Sequence, residues 1–298
     1  MRVVYLGTPA DAVPPLDALV AAGHDVALVV TQPDRRRSRG AGSDAAPVKL
    51  AAERLALPVR TPEKAREIVD EVAASGAELG VVVAFGQLLP VSLLEALPHG
   101  FVNMHFSLLP RWRGAAPVER AILAGDAETG VCLMEIEAGL DTGPVYATRH
   151  LVVAPNETAG ELHARLVDLG TELLLEHLPR LTSATPVAQE GEATYAEKLT
   201  VEEFQLEPAK RAEELMRVVR AGNPRPGAWF TAGGRRVKVW RAHEAEGVVD
   251  AGTISAQGLL GTTTGALALD EVQPAGKKRM DARAWLAGVR GGVQLDRP

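Results

Sequence analysis

The stretch "GFVNMHFSLLPRWRG", residues 100–114, decides how the chain folds. Its first half is apolar enough for a buried strand, yet Asn103 and His105 interrupt it two positions apart. Alternate side chains of a strand share a face. Asn103 and His105 therefore point the same way, and Val102, Met104 and Phe106 point to the other side. The "SLLP" that follows ends the strand, so the polar pair lies near its C-terminal edge. In open α/β sheets that edge is where ligands bind.

Working outward, the flanking segments alternate between strand and helix. Residues 2–7, 25–31 and 79–85 are continuous apolar runs and read as buried strands. Between them, residues 17–23 end a helix at Gly23, residues 47–56 start one at Pro47, and residues 65–76 form another. Such strands imply a parallel sheet covered on both faces, a doubly wound α/β domain. Gly7 alone is no G-x-G-x-x-G fingerprint, so the first turn reads as a plain tight turn. Downstream come a helix at 115–125, a strand pair at 129–137 and 143–153, and a long amphipathic helix at 158–181. Residues 182–199 hold few large apolar side chains and read as a linker crossing the surface. Beyond about 201 a single helix precedes short strand candidates with Gly-rich turns, the pattern of a small all-β barrel. The expected division is 1–203, linker included, and 204–298.

Composition agrees with a soluble globular chain of 298 residues: 46% hydrophobic and 23% charged. No apolar run approaches the roughly 20 residues of a membrane span, and the first residues enter a strand with no signal peptide. One cysteine, Cys132, excludes an internal disulfide framework. A cytoplasmic enzyme without a membrane partner is expected. The net charge of -6 is uneven: the segment from Val201 to Pro298 carries 15 Lys and Arg against 12 Asp and Glu. Two basic clusters stand out, "DRRRSRG" at 34–40 and "GGRRVKVWR" at 233–241. Patches of this kind make phosphate contacts whatever the net charge.

A neutral amide beside an imidazole suits acyl transfer. The amide polarises a carbonyl and stabilises an oxyanion, and the imidazole exchanges a proton near neutral pH. A lone Asn-x-His reads more readily as two polar residues satisfying backbone at a strand end. Asp141, in the Gly-rich loop "EAGLDTGPV", adds a carboxylate that could orient the histidine, or that closes a hairpin as an Asx turn. Phe85, Gly86, Gln87, Leu88, Leu89 and Pro90 form a third feature. Gly86 allows close backbone approach, and the apolar side chains offer a surface for a heteroaromatic ring; the alternative is an ordinary strand-to-helix turn. The seven histidines show no metal-ligand spacing, so no metal is expected. Cys132 reads as a small core residue rather than a nucleophile.

Taken in order, "YLGTPADAV", "VVTQPDR", "VVVAFGQLLP", "VNMHFSLLPRWRGAAPV", "GLDTGPV", "YAEKL", "NPRPGAW" and "VQPAGKKRM" closely resemble the methionyl-tRNA formyltransferase family over nearly the whole chain. "SLLP" looks like the superfamily's signature for 10-formyltetrahydrofolate, whereas the last two motifs are more specific to the tRNA enzymes. The resemblance implies formyl transfer from that folate to the α-amino group of methionyl-initiator-tRNA by a Rossmann-like domain followed by an OB-like barrel. It implies Asn103, His105 and Asp141 as the catalytic trio. The folate would lie against residues 85–90, Ser107, Leu108, Leu109, Pro110, Gly114 and Gly139. It further implies tRNA contacts at Arg35, Arg36, Arg37 and Arg39, and in the barrel at Arg235, Arg236 and Lys238. A monomer is expected. Departures from the family's pattern fall at Ala41 to Ser43, at Val118 and Glu119, and at Gln205 to Glu207. An amino sugar nucleotide as acceptor is the alternative substrate, and a non-catalytic RNA-binding protein is the alternative from another class.

Overall fold

The computed structural model describes residues 1–36, 43–289 and 293–296. Two compact units divide the chain. One comprises Met1–Gly114, Glu128–Leu151 and His163–Tyr195, and the other Ala115–Ala127, Val152–Leu162 and Ala196–Pro298.

The first unit is built on seven strands: β1 Arg2–Gly7, β2 Asp25–Val30, β3 Val59–Arg60, β4 Leu79–Val83, β5 Phe101–His105, β6 Glu128–Glu135 and β7 Val145–Val152. Their order across the sheet is β7-β6-β5-β4-β1-β2-β3. The pairs from β3 through to β5 are parallel, and β6 turns antiparallel against β5. The chain thus winds outward from β1 to β3, then restarts at β4 on the other side of β1. That reversal opens a crevice at the C-terminal ends of β1 and β4, with β5 next in line.

The apolar runs foreseen for these strands are buried on both faces. Val4, Leu6, Leu28, Val30, Val82 and Phe101 pack on one face with Ile68, Val72, Leu93 and Leu97. On the opposite face Phe106 meets His163 edge-on, at 5.4 Å between ring centroids; His163 lies on the long helix Ala159–Leu181. β4 can approach β5 here because residue 80 is glycine: a Cβ on Gly80 would lie 2.0 Å from the Phe101 ring.

Three local readings change. Residues 65–76 form a 3-10 turn, Ala65–Ile68, before the α-helix Val69–Ala74. The first amide of that turn donates to Gln87 Oε1 at 2.7 Å. The edge strand β3 was unforeseen, being two residues long and too short for a period of two to register. The segment read as a surface linker is tied down by an antiparallel bridge between Val145 and Val187. None of the described helices is long and apolar enough to cross a membrane.

The second unit contains β8 Ala228–Ala232, β9 Arg235–Ala245, β10 Thr253–Ile254, β11 Leu259–Gly261, β12 Ala266–Pro274, β13 Met280–Asp281 and β14 Val293–Gln294. The sheet order is β8-β9-β12-β11-β10-β14, with β13 added to β12. Register shifts between Val239 and Ala242 curl β9. The far end of the sheet returns toward β8: the Asp296 amide donates to Thr231 O at 2.8 Å, and its carboxylate accepts from the Gly233 and Gly234 amides. The expected barrel is thus a curled antiparallel half-barrel. The helix Ala212–Ala221 belongs to the same unit, with Leu215, Val218 and Val219 buried. Leu206, one of the departures from the family pattern, is also buried, and its amide donates to Trp229 O at 2.7 Å.

Candidate active site

β5 places Asn103 and His105 on one face, as alternation requires. Asn103 is half-buried and its amide makes no hydrogen bond among the described residues. His105 is 5% exposed. Its Nε2 lies 2.9 Å from the Trp112 carbonyl oxygen, which can only accept, so Nε2 carries a hydrogen. The other ring nitrogen, Nδ1, faces Asp141 Oδ2 at 3.7 Å. That gap is too long for a direct hydrogen bond. A proton on Nδ1 would nonetheless sit in the field of a carboxylate whose side chain is only 17% exposed.

The carboxylate is held from elsewhere. Asp141 Oδ2 accepts the backbone N–H of Gly114 at 2.8 Å. The loop carrying it turns through a left-handed backbone at Asp141, φ 49. Two further non-glycine residues with positive φ, Trp112 at 62 and Ala84 at 47, lie beside the same strand ends. Such backbone is costly outside glycine and persists where the surroundings over-determine it. Gly143 makes the loop's exit possible, since a Cβ there would stand 1.9 Å from Glu135 O.

Residues between β5 and Gly114 hold this arrangement. Ser107 is buried, and its hydroxyl donates to Arg111 O at 2.6 Å, closing the "SLLPR" turn. The Trp112 amide donates to Thr194 Oγ1 at 2.9 Å. Trp112 is therefore fixed on both sides, and its carbonyl sets the tautomer of His105. Leu108, Leu109 and Pro110 line the turn half-buried.

The turn after β4 differs from expectation in two side chains. The Phe85 ring is buried and belongs to the core cluster, so it offers no flat surface to a ligand. Beyond the end of β4 and the left-handed backbone at Ala84, the ring joins Val4, Leu6 and Val82 in the core. Its carbonyl is instead the feature on display, accepting from Thr8 Oγ1 and Gln32 Nε2, each at 2.9 Å. The Gln87 side chain is occupied by the Ala65 amide and Pro62 O. Leu88, by contrast, is 82% exposed, and Leu140, beside Asp141, is 52% exposed. Leu88 lies two residues past a glycine turn (Gly86, φ 80), where an exposed apolar side chain fits a flat heteroaromatic group held by backbone. Gly139 packs tightly within its own loop, where a Cβ would meet Thr142 Oγ1 at 2.2 Å. Trp112, Thr8, Gln32 and Gln189 were not legible as site residues, because each contributes through backbone or amide contacts that no local pattern encodes.

Of the basic residues, Arg37 and Arg39 lie outside the described residues. Arg35 and Arg36 pair with Asp44 and Ser43 as a two-residue hairpin ladder. In the half-barrel, Arg235 and Arg236 are exposed, and the Arg236 guanidinium stacks 3.8 Å over the Trp229 ring. Lys238 is half-buried and donates to Pro226 O at 2.6 Å, so its ammonium is largely used within the unit.

A cleft of about 480 Å³ lies within the second unit, lined by Glu213, Arg217, Arg220 and His243 among others. Its guanidinium groups are already engaged: Arg217 with Glu213, and Arg220 with the carbonyls of Glu157 and Ala154. Burial lowers the Arg220 guanidinium from its ordinary value. The edge of β5, rather than this cleft, gathers an amide, a buried imidazole and a carboxylate.

Comparison with known proteins agrees with the fold. The family model described as formyl transferase matches residues 1–178, and that of the formyl transferase C-terminal domain matches residues 198–290. A protein named methionyl-tRNA formyltransferase from Dinoroseobacter shibae is 47% identical, with 99% of this chain and 100% of that protein covered. Among solved structures, a methionyl-tRNA formyltransferase from Clostridium thermocellum superposes with a TM-score of 0.59 at 18% identity, covering 84% of this chain and 96% of that one. HypX from Aquifex aeolicus, solved in complex with tetrahydrofolic acid, gives a TM-score of 0.71 at 16% identity; 98% of this chain corresponds to 48% of HypX. The chain thus spans about half the length of HypX, and at these identities the structural likenesses speak for the fold alone.

Proposed function

The chain belongs to the formyl transferase family, and on that premise we propose that it moves the formyl group of 10-formyltetrahydrofolate onto the α-amino group of methionyl-initiator-tRNA. The carrying observation is the Asp141 carboxylate, pinned by the Gly114 amide and facing His105 Nδ1 beside the free amide of Asn103. A match along nearly the full length of a protein named for methionyl-tRNA supports the acceptor.

The folate supplies the carbonyl carbon that the amine attacks. The exposed Leu88 and Leu140, with the backbone of residues 85–90 and 107–110, would hold it. Asn103 donates its amide hydrogen to the formyl oxygen as negative charge develops there. His105, with Nε2 committed to Trp112, works through Nδ1. Nδ1 takes the proton that leaves the attacking amine and returns it to the departing folate nitrogen as the carbon–nitrogen bond breaks. Asp141 keeps that proton local and compensates the imidazolium. Catalysis resides in the chain's first part, 1–203, and tRNA binding in 204–298 together with the basic segment at 35–39. All three catalytic side chains come from one chain, so a monomer suffices, acting in the cytoplasm where initiator tRNA is charged.

The test is a formylation assay with 10-formyltetrahydrofolate as donor. Met-tRNA should be formylated, and free methionine and a nucleotide-linked amino sugar should not. Equal turnover of the amino sugar would overturn the acceptor assignment, and no turnover of any acceptor would overturn the enzyme.

A further inference from the structure

Gln189 lies in the segment that follows the long helix, where sequence composition promised only a linker. Its side-chain amide is fully used. Oε1 accepts from Arg113 Nε at 3.0 Å and Nη2 at 2.7 Å. Nε2 donates to the carbonyls of Asp141 at 2.9 Å and Gly143 at 2.8 Å. The two Arg113 donors leave no doubt about which end of the amide is oxygen, because a guanidinium has no acceptor. Two residues earlier, Val187 exchanges both backbone hydrogen bonds with Val145, at 2.7 and 2.9 Å, which anchors the segment beside the loop's exit.

We propose that Gln189 is the positioning residue for Asp141. The inference rests on the reading of Asp141 as the carboxylate of formyl transfer. The loop from Glu137 to Gly143 has a left-handed residue at Asp141, and it lies between the end of β6 at Glu135 and the start of β7 at Val145, so the carbonyls of Asp141 and Gly143 fall outside both strands. An unpaired, half-buried carbonyl is costly, so a side chain that satisfies both stabilises this loop shape over others. Through the same amide, Arg113 is brought beside Asp141's backbone, and Arg113 immediately precedes Gly114, whose N–H holds the carboxylate. Gln189 therefore ties both sides of the carboxylate's mooring: the loop that carries it and the strand end that receives it. Small displacements of a reacting group are expensive, and partners outside the reacting set typically change rates by about 10- to 100-fold.

Three variants test this: Gln189→Ala, Gln189→Glu and Asp141→Asn, with the double variant of the first and last. Glutamate keeps the acceptor for Arg113 and removes the donors to the two carbonyls. Formylation of Met-tRNA is followed at saturating substrates, with thermal unfolding as the control for fold. Gln189→Ala and Gln189→Glu should both lower kcat about 10- to 100-fold, with KM for donor and tRNA within about two-fold of the parent. In the Asp141→Asn background, Gln189→Ala should cost little further, since the group it positions is already disabled. Full activity of Gln189→Glu would overturn the proposal, because the Arg113 contact alone would then suffice. Equal falls in kcat in both backgrounds would also overturn it. Full activity of Asp141→Asn by itself would instead sink the reading of Asp141, which separates the two failures.

Discussion

The backbone amide of Gly114 holds Asp141 Oδ2 at 2.8 Å, joining two positions 27 residues apart. The same oxygen is the one that faces His105 Nδ1 at 3.7 Å. A chain end of β5 and a loop between two antiparallel strands thus meet at one carboxylate oxygen. This is what distinguishes Asp141 from an aspartate closing a hairpin: its side chain reaches out of its own turn to a neighbouring strand end.

Asp141→Asn keeps the shape and one acceptor oxygen for Gly114 while removing the charge that compensates His105. Formyl transfer should fall about 10²–10³-fold in kcat, the usual cost of one preorganised electrostatic group. Single-turnover formylation measures it directly. A rate within a few-fold of the parent, at unchanged thermal stability, would show that the carboxylate serves the loop and not the reaction.

Gly80→Ala probes the contact between β4 and β5. The new methyl would lie 2.0 Å from the Phe101 ring, in a sheet buried on both faces. Phe101 sits on the same strand and face as Asn103 and His105, and it is buried, so it has no free volume to retreat into. Overpacking of this kind costs about 1–3 kcal/mol. Urea unfolding should show that destabilisation with an unchanged m-value. A midpoint equal to the parent's would mean the strands separate easily there.

How much of this was legible beforehand follows from the range of the interactions. The alternation in "FVNMHF" and the continuous apolar runs of β1, β2 and β4 carry their own period, so the doubly wound sheet and the shared face of Asn103 and His105 could be read directly. Gly23, Gly76 and Gly125, each with positive φ, marked helix ends for the same local reason. Phe85 could not be placed, because a residue just past a strand end can point into the core or out to a ligand, and only packing against Leu6, Val82 and their neighbours decides it. Gln189 and Trp112 were invisible because their contacts span 46 to 76 and 7 to 82 positions respectively, and no periodicity encodes them.

Tyr5 provides a pH-dependent check on the core of the first sheet. Its side chain is fully buried, and the hydroxyl donates to Ala12 O at 2.5 Å. Burial first, and the nearby Asp17 second, push the phenol well above its ordinary value of 10.0. The unfolded chain therefore loses this proton first. The contribution is fully present below about pH 10 and declines above it, by about 1.4 kcal/mol per pH unit for one group. Tyr5→Phe should be less stable at neutral pH by about 0.5–1.5 kcal/mol, from the missing hydrogen bond. Above pH 10 its stability should fall less steeply than the parent's. Parallel curves in denaturant titrations at pH 9 to 11 would show that the hydroxyl ionises freely in the folded state.

The half-barrel's basic edge provides the check on RNA contact. Arg235 and Arg236 are exposed, and the Arg236 guanidinium carbon lies 3.8 Å over the Trp229 ring. The ring restrains the guanidinium while its exposed N–H donors can meet phosphate oxygens. Replacing both arginines with glutamine removes two charges and costs the fold little, since an exposed cation–π contact contributes about 0.5–1 kcal/mol. KM for Met-tRNA should rise while kcat at saturation holds. The slope of log(kcat/KM) against log salt should become shallower by about one to two, one increment for each phosphate no longer neutralised. Lys238→Gln should do less, because the Lys238 ammonium is already bonded to Pro226 O. An unchanged salt slope in the double variant would place the tRNA elsewhere and leave this edge a solvated surface.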